Sequence, residues 1–180
     1  LLKVGTIATQ YAELSGILIR ISKTIAINLP VTYCAIFLKH LHEDRLQIVG
    51  SYPLRPAEKW QRLEHKNIYI DDIPQLSDLL KTGEHLVLGK NDLVDPANAG
   101  IVNTFAFTDT KTMGLFPLVS KGNCLGLITL VEVRRWQREP FTEEKVNLLK
   151  TLSTQIGSAI DNALLLKEAK SRADRMAVLN

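Results

Sequence analysis

Phe116-Pro117-Leu118-Val119-Ser120-Lys121-Gly122-Asn123-Cys124-Leu125-Gly126-Leu127-Ile128-Thr129-Leu130 reads as two apolar segments joined by a polar turn. The first segment begins near Met113 and the second runs on to Val133. The second is apolar at odd and even positions alike, so both of its faces are covered. Gly122 suits the turn, because a residue without Cβ tolerates backbone angles that others resist. The pair is therefore a β-hairpin in the middle of a layered fold. Pro117 has no N–H to give to a ladder, so it predicts an edge position or a bulge.

Downstream, Thr142 is the expected N-cap of a long helix. Glu143 and Glu144 suit the positive end of its dipole, and Phe141 with Val146 can form a hydrophobic staple. Leu149, Leu152, Ile156, Ile160 and Ala163 follow helical spacing. Leu165, Ala169, Met176 and Leu179 continue a 3.5-residue seam, interrupted by Arg172. A helix over 142–180 is about 58 Å long at ~1.5 Å per residue. It outreaches a globule whose radius of gyration is about 15 Å. The domain edge is therefore expected near residue 163.

Upstream, residues 31–38 form a continuous apolar run, expected as a central strand. His40 and His42 sit in the turn that follows, and Leu46, Ile48 and Val49 carry the return strand to Tyr52-Pro53. A short helix is expected over 57–65 and an extended piece over 68–70. Asp71 or Asp72 is the expected cap of a helix through Leu80, stopped at Thr82-Gly83. Residues 85–88 read as a strand. The stretch 89–110 reads as a binding loop with one helical turn at 96–102. Before all of these, Val4, Ile7, Tyr11, Leu14, Leu18, Ile21 and Ile25 recur at spacings 3, 4, 3, 4, 3, 4. That seam predicts a helix, ended at Leu29-Pro30, that is able to pair with another. The pattern as a whole is α+β.

Composition narrows the function classes. Of 180 residues, 46% are hydrophobic and 23% charged, enough for a core. Lys plus Arg is 22 against 19 for Asp plus Glu, a net +3 that argues for neither nucleic acid nor membrane as a partner. No apolar run approaches the ~20 residues of a membrane span. No charged leader with a cleavage site opens the chain, and Cys34 with Cys124 is no disulfide framework, so a cytoplasmic setting is expected. The start at Leu1 and the stop at Asn180, inside a helical pattern, suggest a piece of a longer protein.

The hairpin run, with its apolar-Pro-Leu step and its Gly-apolar-apolar return, resembles GAF domains. Phe141-Thr142-Glu143-Glu144, Leu148-Leu149, Leu152, Gln155-Ile156, Ala159-Ile160 and Asn162-Ala163 resemble the closing helix of that family. Thr82-Gly83-Glu84-His85 resembles its Thr-Gly-Glu-Pro entry, with His85 in place of Pro. The resemblance covers about residues 12–165. It implies a six-stranded antiparallel sheet, with the N- and C-terminal helices on one face and short helices and loops over a small-molecule pocket on the other. It also implies a non-catalytic sensory module in a two-component protein, a histidine kinase or response regulator. Residues 1–29 would then be a dimerisation helix, 30–163 the core, and 164–180 a helix leading to an output domain in the same chain. A homodimer would form through the terminal helices, at Val4, Ile7, Tyr11, Leu14, Leu18, Leu165 and Met176. The alternatives are a structural dimerisation domain without ligand and a thiol enzyme of the free methionine sulfoxide reductase type.

Trp60, Tyr69, His85, Phe105, Phe107 and Phe116 are the candidate pocket residues, since ligand pockets combine aromatics with a few polar groups. The ligand itself is unknown. Cyclic-nucleotide-binding members carry an Asn-Lys…Phe…Asp-Glu set that Asn91, Phe105 and Asp109 match only loosely. Bilin-binding members use a Cys beside a His, and neither Cys34 nor Cys124 is followed by His. Haem ligation by His40, His42, His65 or His85 is the least favoured reading. The i,i+2 pair of His40 and His42 has no third metal ligand nearby and reads as a solvated turn. Arg134-Arg135-Trp136-Gln137-Arg138 could grip phosphate, but reads first as a solvated loop before Pro140.

Overall fold

The computed structural model describes residues 2–53, 67–134 and 139–179; at residues 2–12 it describes backbone only. The expected helix over 57–65, Trp60, the segment 135–138 and the side chains of Val4, Ile7 and Tyr11 lie outside the described residues. The chain opens with α1 (Leu2–Asn28), then β1 (Tyr33–Lys39) and β2 (Arg45–Tyr52). β3 (Ile68–Tyr69) runs into a 3-10 turn (Ile70–Asp72), followed by α2 (Pro74–Thr82) and β4 (Leu86–Leu88). α3 (Lys90–Leu93), a second 3-10 turn (Pro96–Asn98) and α4 (Ala99–Phe105) come next. β5 (Thr112–Ser120), β6 (Asn123–Glu132) and α5 (Glu143–Leu179) complete the fold.

The strands form one sheet in the order β3-β2-β1-β6-β5-β4, with every neighbouring pair antiparallel. β1 and β6 lie at its centre, which is why both read as continuous apolar runs. In the β5–β6 hairpin, Ser120 pairs with Asn123, while Lys121 and Gly122 take φ of 52° and 78°. Two left-handed central residues match the twist of the flanking strands. β4 pairs with Met113, Gly114 and Leu115, so its ladder has ended before Pro117.

Residue parity divides the core in two. Leu18, Ile25, Cys34, Ile36, Phe116, Leu118, Ile128, Leu130, Leu149, Ile156 and Ile160 pack together on the side of α1 and α5. Ala35, Phe37, Leu46, Leu76, Ile101, Phe105, Met113, Leu115, Leu127 and Val131 pack together beneath α2 and α4. The six-stranded antiparallel sheet with both terminal helices on one face is therefore present as expected.

Both long helices approach the sheet at glycine. A Cβ at Gly50 would lie 2.8 Å from the Leu18 carbonyl carbon of α1. One at Gly157 of α5 would lie 2.8 Å from the Val119 carbonyl oxygen of β5. These contacts place backbone on backbone, closer than any side chain allows.

Local starts and stops differ in part from expectation. α2 begins at Pro74 with Ile73 as its N-cap, not at Asp71 or Asp72, which belong to the preceding 3-10 turn. Proline fits the first helical position because its missing N–H would have had no partner there. Gly83 ends α2 at φ 71°, as expected. The 89–110 stretch holds three short helical pieces where one turn was expected. Thr142 does cap α5, its hydroxyl accepting the Lys145 N–H at 3.4 Å.

Leu18 requires a correction. It was expected at a dimer seam, yet it is 1% exposed and sits in the protein's own core. The seam Leu14, Leu18, Ile21, Ile25 faces the sheet of the same chain, because an apolar stripe buries equally well against a sheet or another helix. Leu165 and Met176 remain on the surface of α5.

Candidate functional site

The six expected pocket residues do not form one group. Phe105, the last residue of α4, is buried edge-on to Phe37 with centroids 5.4 Å apart. Phe107 lies half-buried on Tyr33 at 4.7 Å, on the same face. Phe116 faces the other way, under the terminal helices, where it touches Phe141 at 6.4 Å. His85 stacks on Phe116 with centroids 5.6 Å apart and planes 9° from parallel. Its Nδ1 is buried without a hydrogen-bond partner among the described residues. Tyr69 stands on the outermost strand, 48% exposed.

On the face of Phe105 and Phe107, the register brings together residues that the sequence reading missed. Ser51 pairs with Ala35, Ala35 with Thr129, and Thr129 with Leu115. Directly paired residues point to the same side of a sheet, so Ser51, Ala35 and Thr129 make a row of small side chains. At ~4.8 Å per strand the row is about 10 Å long. Tyr33, Val131 and Met113 line one flank and Phe37 and Leu127 the other. Thr129 is fully buried, and its Oγ1 has no hydrogen-bond partner among the described residues. An unpaired buried hydroxyl costs about 1–3 kcal/mol. A valine of the same shape would avoid that cost. The available signal was one hydroxyl in the run Leu127-Ile128-Thr129-Leu130.

The cysteines lie on opposite faces. Cys34 is buried under the terminal helices, and burial pushes its thiol up to about 12 against the opposing Ser22 hydrogen bond. Cys124 is half-buried on the other side. Burial raises its pKa too, opposed by the Gly126 backbone bond and the Lys39 charge. Neither environment favours the thiolate that a nucleophile requires.

The buried carboxylate of Glu132 closes the end of β6. Burial pushes its pKa up, but hydrogen bonds from Arg134 and Thr32 outweigh that and hold it below the usual range. At the hairpin before β2, the backbone N–H of His42 donates to His40 Nδ1 at 3.2 Å. Among the described residues, no three His, Cys, Asp or Glu side chains are placed to hold a metal ion. Nor is any described helix long and apolar enough to cross a membrane.

A groove between α1 and the far end of α5 is lined by Glu13, Ala163, Leu166, Lys170, Val178 and Leu179, among others. Leu166, Val178 and Leu179 of that lining, and Leu165 and Met176 elsewhere on α5, are between 47% and 87% exposed.

This chain is 22% identical over 167 residues to the formate hydrogenlyase transcriptional activator FhlA of Escherichia coli (strain K12). The match takes in 91% of this chain but only 23% of that relative's length. The fold is similar to the GAF domain/HD domain protein from Geobacter sulfurreducens, with TM-score 0.67 and 16% identity, covering 86% of this chain and 96% of that one. It is also similar to the type II free methionine-R-sulfoxide reductase from Thermoplasma acidophilum, with TM-score 0.61 and 10% identity, covering 82% and 92%. At such identities these two likenesses speak for the fold alone. With the family model for the GAF domain matching residues 13–160, and with the sheet order and both terminal helices on one face as described above, this chain belongs to the GAF domain family.

Proposed function

We propose that this chain is a non-catalytic sensory module that holds a small molecule against the Ser51, Ala35, Thr129 row. It passes the state of that site to a neighbouring domain through α1 and α5. The unpartnered, fully buried hydroxyl of Thr129 is the observation that carries this reading. Phe105 and Phe107 stand on the same face and would wall the site, whereas His85 and Phe116 would act from the helix side. The described part of the row holds no charged side chain, which favours an uncharged guest or an uncharged part of one.

The host we propose is a cytoplasmic two-component protein with an output domain in the same chain. The relative's name, a transcriptional activator, supports a regulatory host. Within it, residues 1–29 would lead in, 30–163 would form the core, and 164–180 would lead out. A homodimer through the terminal helices would cover the apolar end of α5, where a fully buried leucine is worth about 1.5–3 kcal/mol. Those same exposed residues favour the second reading, a structural dimerisation domain with no ligand. A thiol enzyme is disfavoured, because the two cysteines face opposite sides of the sheet and both thiols are raised.

Native mass spectrometry of the purified chain tests the sensory reading. The expected result is a retained small molecule whose affinity falls about tenfold in Thr129→Val, the loss of one hydrogen bond. No retained molecule, together with no binder in a metabolite screen, would leave the structural reading in its place.

A further inference from the structure

Glu132, the last residue of β6, is tied to both sides of the molecule. Its carboxylate accepts the Thr32 hydroxyl, the Arg134 backbone N–H at 2.8 Å, and Arg134 Nε and Nη2 at 2.9 Å each. Arg134 Nη2 also donates to the Pro30 carbonyl at 2.8 Å, across the link between α1 and β1. The Thr32 hydroxyl in turn accepts the Val133 N–H at 3.2 Å. Through its backbone carbonyl, Glu132 accepts the Lys111 N–H at 2.7 Å. Lys111 ends the segment in which Phe107 lies on Tyr33 and the Phe107 N–H donates to Thr110 Oγ1 at 2.7 Å.

One residue thus meets the α2/α4 face through its backbone and the exit of α1 through its side chain. We propose that the Glu132–Arg134 clasp couples the segment 106–111 to the last turn of α1, so that a change at the site resets the helix. The proposal rests on the sensory reading and names its regulation. The closed state is the fork of Arg134 across Glu132 and Pro30. In the open state the guanidinium, 41% exposed already, turns to water. A displacement of Lys111 moves the Glu132 backbone, and a bidentate pair tolerates little misalignment. Two discrete arrangements biased from one end are what coupling between sites requires.

Amide exchange followed by NMR tests this in the protein without ligand. The Leu29 and Val31 amides, bonded to the Ile25 and Ala26 carbonyls at 2.9 and 3.1 Å, report the last turn of α1. Phe107→Ala perturbs the opposite face. It is expected to speed exchange at Leu29 and Val31 by about threefold or more. In an Arg134→Lys background, which keeps the charge but loses the fork, the same change is expected to add less than about 1.5-fold. Thr32→Val, a milder lesion of the same clasp, is expected to blunt the response too and serves if Arg134→Lys folds poorly. A merely structural role would lower the melting temperature but leave the ratio of responses alone. Equal responses in all backgrounds, or no response at Leu29 and Val31 in the parent, would overturn the proposal. No ligand enters the measurement, so a failed search for a retained molecule would remove the sensory reading without altering this result.

Discussion

On one side of the sheet, backbone lies on backbone: α1 meets β2 at Gly50 and α5 meets β5 at Gly157. On the other side short helices cover the sheet, and a row of small residues ends in a buried hydroxyl with no partner among the described residues. At those two points no side chain lies between helix and sheet to absorb a shift. The second carries an unmet polar group that a guest could satisfy. The proposed sensory reading uses both: one face that would change state, and one that would pass the change on.

The sharpest way to break this contrast is to add volume where backbones touch. Gly157→Val is expected to cost about 3 kcal/mol or more, because neither helix nor strand backbone can retreat. Urea unfolding measures it, and a loss under about 1 kcal/mol would mean the helix face is not closed.

Next in size is the clasp. Glu132→Ala is expected to cost about 2–3 kcal/mol, by stranding Arg134, Thr32 and the Arg134 N–H. The folded-state pKa of Glu132 lies below its unfolded value of about 4.3, so its contribution is complete above that value and is lost as pH falls through the folded one. Melting curves at falling pH should therefore show a flatter acid slope in Glu132→Gln than in the parent. Parallel slopes would remove the carboxylate from the account.

The opposite sign is expected on the other face. Thr129→Val should raise stability by about 1 kcal/mol while weakening any guest. If it destabilises instead, the hydroxyl has a partner in solution and the contrast between the faces loses its basis. The smallest effect on folding is expected at the end of α5. Leu165→Ser with Met176→Ser should change monomer stability by less than about 0.5 kcal/mol. The same pair should weaken self-association in analytical ultracentrifugation, and an unchanged association constant would place the dimer contact elsewhere.

The architecture was legible before any coordinates. The hairpin at 113–133, the double-sided runs, the Gly83 stop and the two long helical seams each rest on a local period or a single backbone requirement. The site was far less legible. Phe105, Phe107 and Phe116 look alike as sequence, but strand parity turns Phe116 away from the other two. Ser51, Ala35 and Thr129 lie far apart in the chain and become neighbours only through cross-strand register. Leu18 shows the same limit, since a heptad seam does not say which surface will bury it.

The sequence by itself determined the elements and their order, because helix and strand periods, turn glycines and capping residues act over a few neighbouring positions. Only the tertiary structure decided which face each side chain joins and which long-range partners Glu132 and Thr129 gain or lack. Those outcomes depend on register and packing between segments up to a hundred residues apart, where no local preference reaches.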